Sequence, residues 1–313
     1  MAARKALLFG ANGFVAGHLL AELSGHGYEV FGSDKAEAPR HAALAGYMPA
    51  YLTDAAAVAA VVREFGPTHI VNLAAISSVG QSWKAPALTM QVNVVGTINV
   101  LEAARALPAP PRVLLVGSSE EYSPSELPLR ETDPTDANNP YGISKVAQER
   151  LAEVYSERYG IRVYRTRSFN HTGPGQAPGF VLPSWCEQVA NIERGGVPAV
   201  LNVGNVEVRR DFSDVRDVVK AYRLLIESEH CDEVFNIGSG KAYLLRDLAE
   251  MIAGFSSQPV EIEVDSGLLR PSDNPVICCD RSKAGELLGW VPERNIEDTL
   301  QEMYQVALGK QAV

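Results

Sequence analysis

Residues 9–23, FGANGFVAGHLLAEL, decide the fold. They close the apolar run ALLF (residues 6–9), set Gly10 and Gly13 in a turn, and put the small Ala16 at the start of a helical pattern. Two glycines permit a tight turn and a close backbone approach, and Ala16 lets the helix lie on a sheet with its N-terminus open to an anion. Strand, glycine turn and helix in that order suit a dinucleotide pyrophosphate, with Asn12, Phe14 and Val15 completing the loop. The next apolar run, YEVFGSD (residues 28–34), ends on Asp34, 21 residues after Gly13. A carboxylate there accepts hydrogen bonds from both adenosine ribose hydroxyls and repels a 2′-phosphate, which favours NAD(H) over NADP(H). Lys35 and Arg40 close by keep NADP(H) open.

The alternation continues with the apolar runs HIVNLAA (69–75), RVLLVGS (112–118), IRVYRTRSF (161–169) and EVFNIGS (233–239), separated by helical patterns. It predicts an α/β chain: a Rossmann, doubly wound parallel sheet with helices on both faces and ligands past the carboxyl ends of its strands. After Phe169 the Gly- and Pro-rich stretch NHTGPGQAPGF reads as a loop into a second, smaller mixed α/β lobe. A helix is expected from Phe180 to Glu193, loop plus helix over 206–227, and helices near RDLAEMIAGF and SKAGELLG. The expected division is residues 1–170 plus about 208–239 for the dinucleotide, and 171–207 plus about 240–313 for the substrate.

A chain of 313 residues, 46% hydrophobic, buries a substantial core. Its net charge of −10, with scattered Lys and Arg, argues against a nucleic-acid surface. No run approaches the roughly 18 apolar residues of a membrane span. MAARKALLFGANG reads as a first strand, not a leader, so a soluble, cytoplasmic protein is expected. Cys186, Cys231, Cys278 and Cys279 form no C-x-x-C pair, and the six histidines show no ligand spacing, so neither disulfides nor a metal are expected.

In NPYGISK (139–145), Pro140 opens a helix, and Tyr141 and Lys145 project from the same face four residues apart. An ammonium beside a phenol favours the phenolate, which otherwise forms only near pH ~10. Ser118, 23 residues before Tyr141 at a strand end, offers a hydroxyl to the same substrate oxygen. In GSSEEYS (117–123), Glu120 stands two residues after Ser118, while Tyr122 is expected to pack behind the strand and Ser119 to contribute little.

With these motifs the chain resembles the extended short-chain dehydrogenase/reductase superfamily over nearly its whole length. The matches are Gly10-x-x-Gly13-x-x-Ala16, NLAA at 72–75, Asn93 in VNVVGTINVLEA, Ser118, and Tyr141 with Lys145. The resemblance implies that Ser118, Tyr141 and Lys145 are catalytic, that Asn93 orders the active-site helix, and that Leu52, Leu73, Ala74, Ala75 and Phe169 join the cofactor site. Tyr51, Ser123 and Ser168 depart from the pattern, standing where members often carry Asp, Gly and Tyr. The stretches FNHTGPGQ, VGNVEVRRDFSDVRDVV and LRPSDNPV resemble the branch acting on GDP-sugars, its 4-keto-6-deoxymannose reductases above all. That likeness implies NAD(P)H-dependent reduction at C4 of the keto sugar to give GDP-D-rhamnose. It puts Asn170, Phe180, Val181, Arg210, Arg270 and Asp273 against the GDP-sugar and suggests a homodimer. The sister 4,6-dehydratases use a glutamate where Glu120 stands, so a lyase with Glu120 as base is the alternative, alongside a 4-epimerase and a non-enzymatic cofactor-binding module. His171 is expected to order its loop, not to exchange protons.

Overall fold

The apolar side chains of the first strand alternate between two cores: Ala6 and Leu8 face one, Leu7 and Phe9 the other, all essentially inaccessible to water. A strand buried on both faces belongs inside a parallel sheet. In the computed structural model, which describes residues 4–269 and 274–310, that sheet forms. In chain order it is built from β1 (Arg4–Phe9), α1 (Phe14–Gly25), β2 (Tyr28–Asp34), β3 (Gly46–Pro49), α2 (Ala55–Phe65), β4 (His69–Asn72), α3 (Val79–Lys84), α4 (Pro86–Met90), α5 (Gly96–Arg105), β5 (Arg112–Ser118), α6 (Pro140–Tyr159) and β6 (Val163–Ser168). There follow β7 (Asn170–Thr172), α7 (Val181–Arg194), β8 (Val200–Val203), β9 (Arg209–Asp214), α8 (Val215–Glu227) and β10 (Val234–Ile237). The chain ends with β11 (Ala242–Leu244), α9 (Leu245–Ala253), β12 (Glu261–Val264), β13 (Val276–Ile277), α10 (Ser282–Leu288) and α11 (Ile296–Ala307).

Seven parallel strands run in the order β10-β6-β5-β4-β1-β2-β3, so the strand order reverses between β1 and β4. This is the Rossmann arrangement, and a ligand crevice opens at such a reversal. Register aligns the strand ends there: Phe9 lies opposite Ser33 and Asn72, and Ser118 opposite Ser168. Helices α1, α8 and α10 cover one face, where Trp290 is fully buried and donates its indole N–H to the Asp217 carbonyl at 2.9 Å. Helices α2, α5 and α6 cover the other.

A separate core joins α7, β8, α9 and α11 through Trp185, Val189, Leu201, Leu248, Ile252 and Leu300. Four segments differ from the sequence reading. β3 was not expected. β7 and β9 replace stretches read as loop and pair with each other in parallel, Asn170 opposite Phe212, while β11 and β13 flank β9. The helical pattern expected between β4 and β5 is not continuous: Pro86 restarts it, and a wide π turn over Gln91–Val95 carries Asn93 into the interior. Such turns insert an extra residue per hydrogen-bonded loop and are frequent at functional sites. Among the described residues no helix is long and apolar enough to cross a membrane, and no cluster of three potential metal ligands occurs.

Candidate active site

At the end of β1, Gly10 adopts φ +79°, and a Cβ there would sit 2.8 Å from the Ala74 amide nitrogen and 3.1 Å from the Leu73 carbonyl carbon. Only glycine fits, because both the left-handed backbone and the contact exclude a side chain. The Gly10 and Ala11 N–H groups donate to the Ser33 carbonyl at 2.9 and 3.1 Å, and the Gly13 N–H to the Gly10 carbonyl at 2.9 Å. No side chain caps α1 at Gly13, so its first-turn amides suit an anion. Phe14 and Val15 open that turn, half-buried. Asn12 ties the turn to the segment after β2: its backbone N–H donates to Asp34 Oδ2 at 3.2 Å, its Nδ2 to the Ala38 carbonyl at 3.0 Å, and its Oδ1 accepts the Arg40 N–H at 2.7 Å. The glycine cradle, the open helix end and the carboxylate at the end of β2 fit a dinucleotide. Leu73, Ala74 and Ala75 follow β4 on the far side of the crevice, half-buried. Leu52 is buried under Gly96 and receives Asn99 Nδ2 on its carbonyl at 2.9 Å, whereas Tyr51 is 64% exposed.

Ser118 is the last residue of β5 and caps a short 3-10 turn, Ser119–Glu121. Its Oγ accepts the Glu120 N–H at 3.2 Å, and its own N–H donates to Glu121 Oε1 at 2.7 Å. Helix α6 starts at Pro140 beneath an Asn139 cap, whose Oδ1 accepts the Gly142 N–H at 2.9 Å. From its first two turns come Tyr141 and Lys145, both buried, with Lys145 Nζ 5.9 Å from the Tyr141 ring centre. Burial raises the pKa of the Tyr141 phenol, and the neighbouring Ser118 side chain works against that rise. Lys145 Nζ donates to the Val116 carbonyl at 2.6 Å and to Gln148 Oε1 at 3.2 Å; burial lowers its pKa, opposed by the charge of Glu121. Glu120 is half-buried, with Oε2 accepting Asn139 Nδ2 at 2.9 Å.

Asn93 joins three parts of the site. Its Oδ1 accepts the Ile76 N–H at 2.8 Å, and its Nδ2 donates to the Ile76 carbonyl at 3.1 Å and to Ser144 Oγ on α6 at 2.9 Å. Tyr122 packs behind the strand end, its hydroxyl on Asn236 Oδ1 at 2.6 Å and the Arg167 guanidinium 4.7 Å from its ring centre. The Phe169 ring is buried in the same cluster with Leu129, Ile277 and Cys279. Ser168 bonds the Tyr222 hydroxyl at 2.8 Å, and Ser123 donates its N–H to the Pro134 carbonyl at 3.0 Å.

The remaining expected contacts come from segments that follow β6 in the chain. Asn170 opens β7, and Phe180, 42% exposed, precedes Val181 at the start of α7. Arg210 in β9 donates from Nη1 to the carbonyls of Arg209 and Asn274 at 2.8 and 2.7 Å. Arg270 and Asp273 lie outside the described residues. His171 is held by the Phe169 carbonyl through Nδ1 at 3.0 Å and stacks near Phe14; burial lowers its pKa and keeps it neutral. Three residues near the reacting groups escaped the sequence reading. Asn139 and Gln148 carry no motif of their own, but Ser118-x-x-Glu121 is a capping-box spacing and could have drawn attention to Glu121.

A parallel sheet with its crevice at the β1/β4 reversal and Ser118, Tyr141 and Lys145 gathered at the strand ends defines an extended short-chain dehydrogenase/reductase. Residues 7–303 match the family model described as GDP-mannose 4,6 dehydratase, and the chain belongs to that family. A GDP-6-deoxy-D-mannose reductase from Pseudomonas aeruginosa is 33% identical over 238 residues, spanning 75% of this chain and 78% of that one. A GDP-mannose 4,6-dehydratase from Yersinia enterocolitica is 30% identical over 284 residues, covering 80% and 76%. Among solved structures, RMD from Pseudomonas aeruginosa complexed with NADPH superposes with a TM-score of 0.84 at 28% identity, over 98% of this chain and 99% of that one.

Proposed function

We propose that the protein reduces the C4 keto group of a GDP-4-keto-6-deoxyhexose, GDP-4-keto-6-deoxy-D-mannose to GDP-D-rhamnose, with NADH or NADPH. The observation that carries this reading is the placement of Ser118, the last residue of β5, beside the buried Tyr141 at the head of α6, with Lys145 one turn along the helix. A bound nicotinamide would supply hydride to C4. Ser118, whose Oγ already accepts the Glu120 N–H, keeps its own proton for the ketone oxygen. Tyr141 delivers a proton to that oxygen as charge develops on it, and Lys145 supports the phenolate left behind. Asn93 holds α6 at the distance this needs. Gly10, Asn12, Gly13, Asp34 and Leu73–Ala75 would bind the dinucleotide, and Asp34 favours NADH by accepting ribose hydroxyls. The GDP-sugar would lie between the strand ends and the lobe of α7, β8, α9 and α11, with Asn170, Phe180, Val181, Arg210, Arg270 and Asp273 as its contacts. Exposed apolar side chains on α4 and α6, Leu88, Ile143 and Val154, support a homodimer.

A second reading, the 4,6-dehydratase, is favoured by the position of Glu120 beside Ser118. Against it, Glu120 Oε2 is tied to Asn139 at the head of α6, which suits a fixed sugar contact better than a proton acceptor for C5. The two readings separate in one assay. The reductase oxidises NADH or NADPH with GDP-4-keto-6-deoxymannose and leaves GDP-mannose untouched; conversion of GDP-mannose without added cofactor would establish the lyase instead.

A further inference from the structure

Phe14 and His18 stand one helical turn apart on α1, both half-buried, and share a face of the helix that opens at the glycine turn. Both reach the segment that follows β7. His18 Nε2 lies 3.0 Å from the Pro174 carbonyl oxygen; because a carbonyl only accepts, the ring nitrogen carries the proton and donates it. The Phe14 ring meets His18 edge-on, with 5.4 Å between ring centres, and stacks on His171 of β7 at 6.5 Å. Gly173 is pressed against the same group: a Cβ there would sit 2.7 Å from Val215 Cγ1 at the head of α8 and 3.6 Å from Phe14 Cζ.

Residues 173–180 form the turn from β7 into α7. Its internal bonds are local: Thr172 Oγ1 donates to Gln176 Oε1 at 2.6 Å, the Gln176 N–H to the Gly173 carbonyl at 3.3 Å, and Gln176 Nε2 to the His171 carbonyl at 3.3 Å. These bonds shape the turn without placing it on the rest of the molecule. Gly175 and the four residues 177–180 are exposed, and Gly175, at φ +88°, and Gly179 have open space where a Cβ would stand. A turn with so few packed atoms opens easily, and Pro174, lacking an N–H, has only its carbonyl to offer as a backbone anchor. The His18 bond is thus a tie from the helix of the glycine turn to the approach toward Phe180 and Val181. His18 lies in the second turn of α1, beyond the first-turn amides that are open to an anion.

We propose that His18 is a positioning residue for the GDP-sugar: by donating to the Pro174 carbonyl it holds the 173–180 segment against α1, in the place where Asn170, Phe180 and Val181 receive the ligand. The inference rests on the GDP-sugar reading above, while the anchoring itself is testable without ligand.

His18→Phe keeps a ring for Phe14 and removes the donor; His18→Gln returns an N–H donor at a similar reach. In the ligand-free protein, chymotryptic cleavage after Phe180, followed by mass spectrometry, is expected to run about fivefold faster in His18→Phe, because cleavage tracks the open fraction of the segment and one hydrogen bond is lost. Calorimetric titration with GDP is expected to give a Kd raised about fivefold, while the Kd for NADH, from fluorescence quenching, keeps its wild-type value. In turnover with GDP-4-keto-6-deoxymannose, KM rises by a similar factor at nearly unchanged kcat, the mark of a lost binding contact. His18→Gln recovers each value; failure to do so would assign the effect to the ring and overturn the proposal. Unaltered cleavage or unaltered GDP affinity in His18→Phe overturns it as well, and so does an equal weakening of NADH and GDP, which would mean that α1 as a whole had moved. If the keto sugar brings no cofactor oxidation, the reductase reading fails while the cleavage and GDP titrations still decide the role of His18. Should His18→Phe not fold, His18→Ala is compared with His18→Gln in the same assays.

Discussion

Replacing Asn93 by alanine removes one side chain from the interior and breaks the link between the π turn, the segment after β4 and α6. Three hydrogen bonds of 2.8, 3.1 and 2.9 Å are lost from a residue only 1% exposed. Water can reach Ile76, which is half-buried, but Ser144 is wholly enclosed and keeps only its bond to the Tyr141 carbonyl at 2.6 Å. At roughly 1 kcal/mol for each of the two partly hydrated groups and about 1–2 for the enclosed one, the loss is about 3–4 kcal/mol. Urea unfolding followed by circular dichroism reads this as a lower midpoint at unchanged m-value. Because α6 carries Tyr141 and Lys145, a displacement on the order of 1 Å should also lower kcat by about 10²-fold. A stability loss under about 0.5 kcal/mol together with unaltered kcat would refute the view that Asn93 braces the site.

Further outcomes follow from single contacts. Gly10→Ala forces a Cβ to 2.8 Å from the Ala74 nitrogen at φ +79°, and should cost roughly 1–3 kcal/mol of stability and abolish cofactor quenching of protein fluorescence. Tyr141→Phe should retain cofactor binding by the same titration while kcat falls by about 10²–10⁴-fold, the range for loss of a positioned proton donor. Asp34→Ser should shift the ratio of kcat/KM values from NADH toward NADPH by about tenfold, or ~1.4 kcal/mol, through loss of an anion beside the ribose; an unchanged ratio would remove Asp34 from cofactor selection.

The parts of the fold legible in the sequence are those whose signals are local. Gly10 and Gly13 between an apolar run and a helix, Asp34 at the end of the next run, and Tyr141 and Lys145 one turn apart each announce their place through spacing alone. Ser118 was found because RVLLVGS is a continuous buried strand that stops at it. What stayed hidden depends on distant partners. β9, RRDFSD, looks like a polar loop because its buried Asp211 is satisfied by Ser239, Gly240 and Cys279, whose closeness no pattern shows. β7 is three residues long within a Gly- and Pro-rich stretch, and β3 ends on Pro49, so neither offers a strand period. The π turn at Asn93 reads as ordinary helix because one inserted residue leaves the apolar spacing almost intact. Asn139 and Gln148 act through hydrogen bonds made across elements, to Glu120 and to the Val116 carbonyl, whereas Glu121 closes a local capping box with Ser118.

The most direct measurement follows isotopes through one turnover. The protein is incubated in deuterated water with GDP-4-keto-6-deoxymannose and reduced cofactor carrying protium, and the product is examined by proton NMR. Reduction at C4 predicts a cofactor-derived protium at C4 and no solvent deuterium introduced at C5. The same incubation with GDP-mannose and no added cofactor predicts no change. Deuterium at C5 of a product formed from GDP-mannose would contradict the account and make Glu120 a working base.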